Sequence, residues 1–296
     1  MKRARILGAV LAVGGVLVAA GAARGQQDKP NVATIQKVND SLYVILGGGG
    51  NTAAFLTDKG VVLVDTKLAN WGQAILDKVR TITDKPVTTI INTHTHADHV
   101  GSNEFFPASV EIVVHENTKA NMEKMDAVKT KPHAMPDRTY KDRLSLMSGK
   151  DQIDLYYFGR AHTSGDTFVV FPQLRTMHAG DVFPGKQLPF MDAANGGSGV
   201  AYPETLAKAT AGIKNVDTVI TGHSTVMRWA DLVEFTDFTR TFLDAVRTSM
   251  KAGKTIEQTA AEIKLPAKFV GYAMPASGFA AVPGAVKTIY GELGGK

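Results

Sequence analysis

Asn92-Thr93-His94-Thr95-His96-Ala97-Asp98-His99-Val100-Gly101 is the stretch that decides how this chain is read. Three of the chain's eight histidines and one aspartate fall within six residues of it. The preceding Val87-Thr88-Thr89-Ile90-Ile91 is apolar and β-branched, the composition of a buried strand. The cluster therefore lies where a strand ends and a loop begins, the edge at which open α/β sheets place their ligand sites. If the backbone stays extended, alternate side chains share a face, so His94, His96 and Asp98 point one way and His99 another. That division suits two adjacent metal ions better than one crowded ion. The chain has no cysteine, so disulfides are excluded and nitrogen and oxygen must supply every ligand.

Outward from this cluster the chain alternates strands and helices. Residues 41–46 and 52–56 flank Gly47-Gly48-Gly49-Gly50-Asn51, a hairpin signal. Residues 60–65 form an apolar strand ending in Asp65. A helix over 70–81 leads to the strand before the histidines, which completes a βαβ unit. Downstream, the pattern predicts a strand at 111–114, a helix at 116–128 and a polar loop at 129–143. Paired strands follow at 153–158 and 167–171, with a strand-like segment at 176–183. Residues 184–200 are glycine-rich and lack periodicity, so they read as a long loop and a wall of the site. A helix at 203–213 and a strand at 218–221 repeat the rhythm, and helices over 229–251, 256–263 and 280–290 close the chain.

The N-terminus differs in kind. Met1-Lys2-Arg3-Ala4-Arg5 is basic, residues 6–23 are apolar, and Ala23-Arg24-Gly25 offers small residues for cleavage. Residues 1–25 read as a secretory signal peptide, with an uncleaved anchor as the rival. A periplasmic or secreted protein is expected. Four of the 33 basic residues lie in that segment, which leaves 29 against 28 acidic residues. A near-neutral mature chain argues against a nucleic-acid footprint.

Three more predicted strand ends carry ligand chemistry. His162 lies in Gly159-Arg160-Ala161-His162-Thr163-Ser164-Gly165-Asp166, Asp181 follows His178-Ala179-Gly180, and His223 follows Gly222. Glycine lets backbone approach a metal closely. Singly each signal is weak, since a turn histidine bonded to a carbonyl has the same look. His115 reads as structural, and His178 stands outside the pattern.

Asp65, the H-x-H-x-D-H run, His162, Asp181 and His223, in that order and at strand ends, resemble the metallo-β-lactamase fold superfamily over residues 31–231. The resemblance implies an α/β chain folded as a four-layer αββα sandwich over residues 26–252, with metals along one edge of the two sheets. Residues 253–296 would form a helical extension packed on it. It implies His94, His96 and His162 as ligands of a first metal, Asp98, His99 and His223 of a second, and Asp181 as a bridge. Asp65 would orient the cluster from behind, and Thr163 and Asp166 would support the third histidine. Asp98 would also act in catalysis by orienting or shuttling a proton. Asn195, in the glycine-rich loop, is expected to offer a donor to substrate. The expected cofactors are two zinc ions, and iron or manganese suit the same donors.

The expected reaction is attack by a binuclear-site hydroxide on an ester, lactone, thioester or amide carbonyl of a small molecule. The superfamily also holds β-lactamases, hydroxyacylglutathione hydrolases, lactonases, nucleases, alkylsulfatases and sulfur dioxygenases, and fold alone does not choose among them. Charge disfavours a nuclease, and secretion disfavours a glutathione thioester. Secretion and the H-x-H-x-D-H motif favour a zinc β-lactamase. Against this, Asp181 stands where characterised zinc β-lactamases carry cysteine or serine, so β-lactam cleavage is the alternative, as a weak activity. A mononuclear metal-binding or dioxygenase-type protein is the further alternative. No nucleic acid is expected as partner, and no membrane once the signal is removed.

Overall fold

Val62 and Val64 turn to one side of their strand and Val61 and Leu63 to the other, and all four are buried. A strand apolar on both faces must be covered on both, and that requirement sets the layers. The computed structural model describes residues 31–294, and the predicted signal peptide lies outside them. Among the described residues, no helix is long and apolar enough to cross a membrane.

One sheet runs in chain order: β1 (Thr34–Lys37), β2 (Leu42–Leu46), β3 (Thr52–Leu56), β4 (Val61–Val64), β5 (Val87–Ile91), β6 (Glu111–His115) and β7 (Arg138–Tyr140). It is antiparallel as far as β4 and parallel from β4 to β7. The other contains β8 (Arg143–Leu146), β9 (Ile153–Tyr156), β10 (Phe168–Phe171), β11 (Thr176–His178), β12 (Thr218–Ile220) and β13 (Met227–Arg228). Its β11–β12 pair is parallel and the rest antiparallel. The helices are α1 (Gly72–Arg80), α2 (Ala97–Val100), α3 (Glu116–Met122), α4 (Asp126–Lys129), α5 (Tyr202–Gly212), α6 (Trp229–Lys251), α7 (Ile256–Glu262) and α8 (Val282–Glu292).

Three cores separate four layers. Val44, Phe55, Val62 and Val64 of the first sheet meet Leu155, Val169, Phe171 and Ile220 of the second, with the Phe55 and Phe171 rings edge to face at 5.0 Å. Ile75 and Val79 of α1 cover Leu63 and Ile90 on one outside. Leu206, Phe235, Phe242 and Ile289, from α5, α6 and α8, cover Phe168, Met177 and Val219 on the other. This is the αββα sandwich. The parallel strands β4, β5, β11 and β12 all deliver their C-terminal ends to one edge, followed by Asp65, the 92–101 stretch, Asp181 and His223.

The departures from the predicted elements have local causes. The polar segment 129–143 holds β7 and the start of β8, which are strands by pairing to β6 and β9 rather than by composition. The helix expected over 116–128 breaks where Met125 takes an extended conformation, and its sulfur accepts from the Thr95 hydroxyl at 3.4 Å. Residues 97–100 are a helical turn, not the extended run assumed for alternation. The strand expected over 176–183 stops at His178, because Gly180 adopts φ +51° and turns the chain so that Asp181 faces the histidines.

Candidate metal centre

His94, His96, His162 and Asp181 each present a ligand atom within 4.8 Å of the others, and Asp98, His99 and His223 form a second such group. His96 Nδ1 lies 2.9 Å from His162 Nε2 and 3.2 Å from His94 Nε2. His99 Nε2 lies 3.4 Å from His223 Nε2, which is 3.3 Å from Asp98 Oδ2. Asp181 stands between the groups. One of its oxygens is 3.1 Å from His223 and 3.7 Å from His162, and the other is 3.2 Å from His99.

The outward ring nitrogens fix the inward ones. His99 Nδ1 donates to Asp65 at 2.7 Å, His96 Nε2 to Asp192 at 2.7 Å and His162 Nδ1 to the Phe190 carbonyl at 2.7 Å. The Thr93 hydroxyl donates to Asp65 at 2.7 Å and so accepts from His94 Nδ1 at 3.0 Å. With each proton held outside, His94, His96 and His162 turn lone pairs toward one small volume. Such a convergence is repulsive without a cation. The buried Asp181 Oδ1 has His99 Nε2 at 3.2 Å but no hydrogen bond of ordinary geometry, although buried carboxylate oxygens ordinarily find donors. The donor set therefore fits metal binding, and its all-nitrogen and oxygen chemistry suits zinc, iron or manganese.

The surrounding backbone is shaped to this set. Asp65, at φ 65°, also accepts the Thr93 N–H at 2.7 Å. A Cβ on Gly222 would lie 1.9 Å from Asp181 Oδ1, and one on Gly50 would lie 2.2 Å from the His99 ring. Asn51 holds the turn bearing His223 by donating to the Thr221 and Ser224 carbonyls at 2.9 and 2.7 Å. The buried Lys67 amine ties down the glycine loop through the Ile45 and Gly50 carbonyls, both at 2.8 Å, and burial pulls it down to about 7. Thr163 donates its N–H to Asp166 at 2.9 Å, bracing the turn after His162. Burial pushes Asp166 up to about 7.

Burial also holds His94 well below the ordinary imidazole range and lowers His162 to about 4. Burial works against charge on His99, but Asp181 and Asp65 outweigh it and raise this ring well above that range. The hydrogen bond that His223 donates to Asp181 raises this ring as well.

The model of the metallo-beta-lactamase superfamily matches residues 46–223. The chain belongs to that superfamily. It is 29% identical over 223 residues to a metallo-beta-lactamase type 2 of Elizabethkingia meningoseptica, covering 67% of this chain and 80% of that one. Among solved structures it resembles the sec-alkylsulfatase Pisa1 of a Pseudomonas species, with TM-score 0.73 and 15% identity. That match covers 88% of this chain, which spans half the length of the alkylsulfatase. A metallo-beta-lactamase of Pontibacter korlensis matches with TM-score 0.61 and 18% identity, over 70% of this chain and 99% of its own. At these identities the structures speak for the fold alone.

All seven residues that the superfamily resemblance implied as ligands meet at one place, with Asp65, Thr163 and Asp166 behind them. Asn195 does not open toward the cleft. Its amide donates to Asp192 at 2.6 Å, so it acts on His96 through that carboxylate. Asp192 itself had no sequence signal, because nothing in the chain links it to a histidine so far upstream. His115 caps α3 and donates from Nε2 to the Lys141 carbonyl, and the buried His178 bonds the Asn51 carbonyl. Both are structural. Above the histidines opens a cavity of about 680 Å³, within the range of small-molecule sites, with Leu68, Pro184, Gln187, Phe190 and Phe279 in its walls.

Proposed function

We propose that this protein is an exported hydrolase that binds two divalent ions, zinc by its donor set, and cleaves an ester, lactone, thioester or amide carbonyl of a small molecule. The observation that carries this reading is Asp181 lying between two triads of ligand atoms. His94, His96 and His162 would hold one ion, Asp98, His99 and His223 the other, and Asp181 both. When bound, such ions polarise a carbonyl and lower the pKa of water from ~15.7 to ~7.

The residues supply the rest. His94 and His162 are kept neutral by burial, so they remain available as donors at neutral pH. Asp98 is half-buried on the cavity floor, where it can orient a water and take its proton. The apolar walls limit bulk water around the reacting carbonyl. The basic and apolar N-terminal segment supports export.

β-Lactam cleavage is the second reading, favoured by the relative from Elizabethkingia and opposed by an aspartate rather than cysteine or serine at 181. Assay of the purified zinc-loaded chain with neutral p-nitrophenyl esters, lactones, thioesters and nitrocefin tests both. Ester or lactone turnover is expected to exceed that of nitrocefin, and H96A or H99A should lose zinc and rate together. Faster nitrocefin turnover reverses the order. Failure to cleave any carbonyl substrate with two ions bound overturns the hydrolase reading, and a single bound ion supports a mononuclear protein.

A further inference from the structure

The segment between α7 and α8 lies beyond the superfamily match at residues 46–223, yet it reaches the cavity over the metal centre. Phe279, on this segment, is 87% exposed. Its ring sits 5.8 Å from Phe190, which stacks on His96 at 6.0 Å. The three rings rise as a file from the ligand floor to the rim, and the half-exposed Leu68 lines the same cavity.

This placement is built, not incidental. Ala273 donates its N–H to the Lys186 carbonyl at 3.0 Å, and the Leu188 N–H returns to the Ala273 carbonyl at 2.8 Å. Phe269 and Tyr272 pack on Phe238 of α6 at 5.4 and 4.2 Å. The Val282 N–H closes on the Pro275 carbonyl at 2.8 Å, and Glu292 of α8 accepts from Gly199 at 2.7 Å. The C-terminal part thus braces the loop over 184–200 near both ends and carries Phe279 with it. Among the described residues lining the cavity, none is lysine or arginine. Apart from histidines and aspartates, Gln187 is the one polar side chain there among them.

We infer that Phe279, Phe190 and Leu68 form an apolar subsite that selects substrates with a neutral, apolar acyl group over those bearing a carboxylate. This rests on the hydrolase reading above and adds the substrate class. An acyl chain entering the subsite replaces water on the exposed Phe279 and Leu68. A carboxylate in the same position finds no lysine or arginine to compensate its desolvation.

The test uses the zinc-loaded full chain with p-nitrophenyl acetate, butyrate and hexanoate, and with the p-nitrophenyl monoester of succinate as an anionic counterpart. The expected kcat/KM rises about fourfold per added methylene, and the succinate ester falls about tenfold or more below butyrate. F279A should lower kcat/KM about tenfold more for hexanoate than for acetate, mainly through KM, and F279L should restore most of the loss. Binding of the neutral fluorophore N-phenyl-1-naphthylamine should weaken about tenfold in F279A. Equal losses for acetate and hexanoate, or a succinate ester as good as butyrate, overturn the subsite. If no ester is cleaved, the hydrolase reading fails and fluorophore binding decides alone: weakened binding in F279A supports the subsite, and unchanged binding overturns it.

Discussion

His96 donates a hydrogen bond from Nε2 to Asp192, 2.7 Å away in space and 96 residues later in the chain. That contact turns Nδ1 inward, beside the inward nitrogens of His94 and His162. Carboxylates that orient histidine ligands typically contribute 10–100-fold to metal affinity. D192A is expected to weaken zinc binding by about that factor. D192N, which keeps an acceptor, should lose less, and N195A less still. Competition against a chromophoric chelator reads the difference, and an unchanged affinity in D192A would show that His96 needs no such partner.

Asp65 serves two histidines, His99 directly and His94 through the Thr93 hydroxyl. D65A strands the buried His99 N–H and Thr93 N–H, at about 1–3 kcal/mol per unpaired group. Both the melting temperature and the zinc content should fall. A variant that loses neither would mean that water replaces the carboxylate without cost.

Two of the glycines packed against the ligands separate fold from site. G222A and G50A place a methyl group against Asp181 and His99, so zinc content should drop while the far-ultraviolet circular dichroism stays native. G284A, whose added Cβ meets nothing within 4 Å, should change neither. Full zinc loading in G222A would show that Asp181 tolerates displacement.

His162 should make the zinc-free protein less stable on acidification, against the buried Asp166 carboxyl, which at about 7 in the folded chain works in the opposite sense. Burial lowers His162 to about 4 in the folded chain, against ~6.5 when unfolded. Between those values the unfolded chain binds the extra proton, so stability rises with pH and is lost as pH falls from ~6.5 toward ~4. This group contributes about 3 kcal/mol over that window. Urea unfolding in chelator at pH 7, 5.5 and 4.5 should show the stability of H162Q rising relative to that of the parent as pH falls. Parallel slopes would place the acid sensitivity elsewhere.

The metal-binding edge was readable because its densest part, His94 to His99, is contiguous and follows a β-branched run. The unit formed by β4, α1 and β5 was readable for the same reason: burial on both faces leaves an unbroken apolar strand. What escaped was whatever depends on partners distant in the chain. The strands β1, β7, β8 and β13 are short and polar, and pairing alone makes them strands. Asp192 and Asn195 lie three residues apart in one loop. Only the fold shows that the first faces His96 and the second faces the first. Phe279 likewise looks like any aromatic residue near the C-terminus until Ala273 ties its segment to the loop over 184–200.

Anomalous diffraction at the zinc edge, from crystals of the zinc-loaded chain, tests the two-ion centre most directly. Two peaks about 3.5–4 Å apart are expected, one bonded by His94, His96 and His162, the other by Asp98, His99 and His223, with Asp181 touching both. A single peak, or peaks out of bonding reach of His162 and His223, would contradict it.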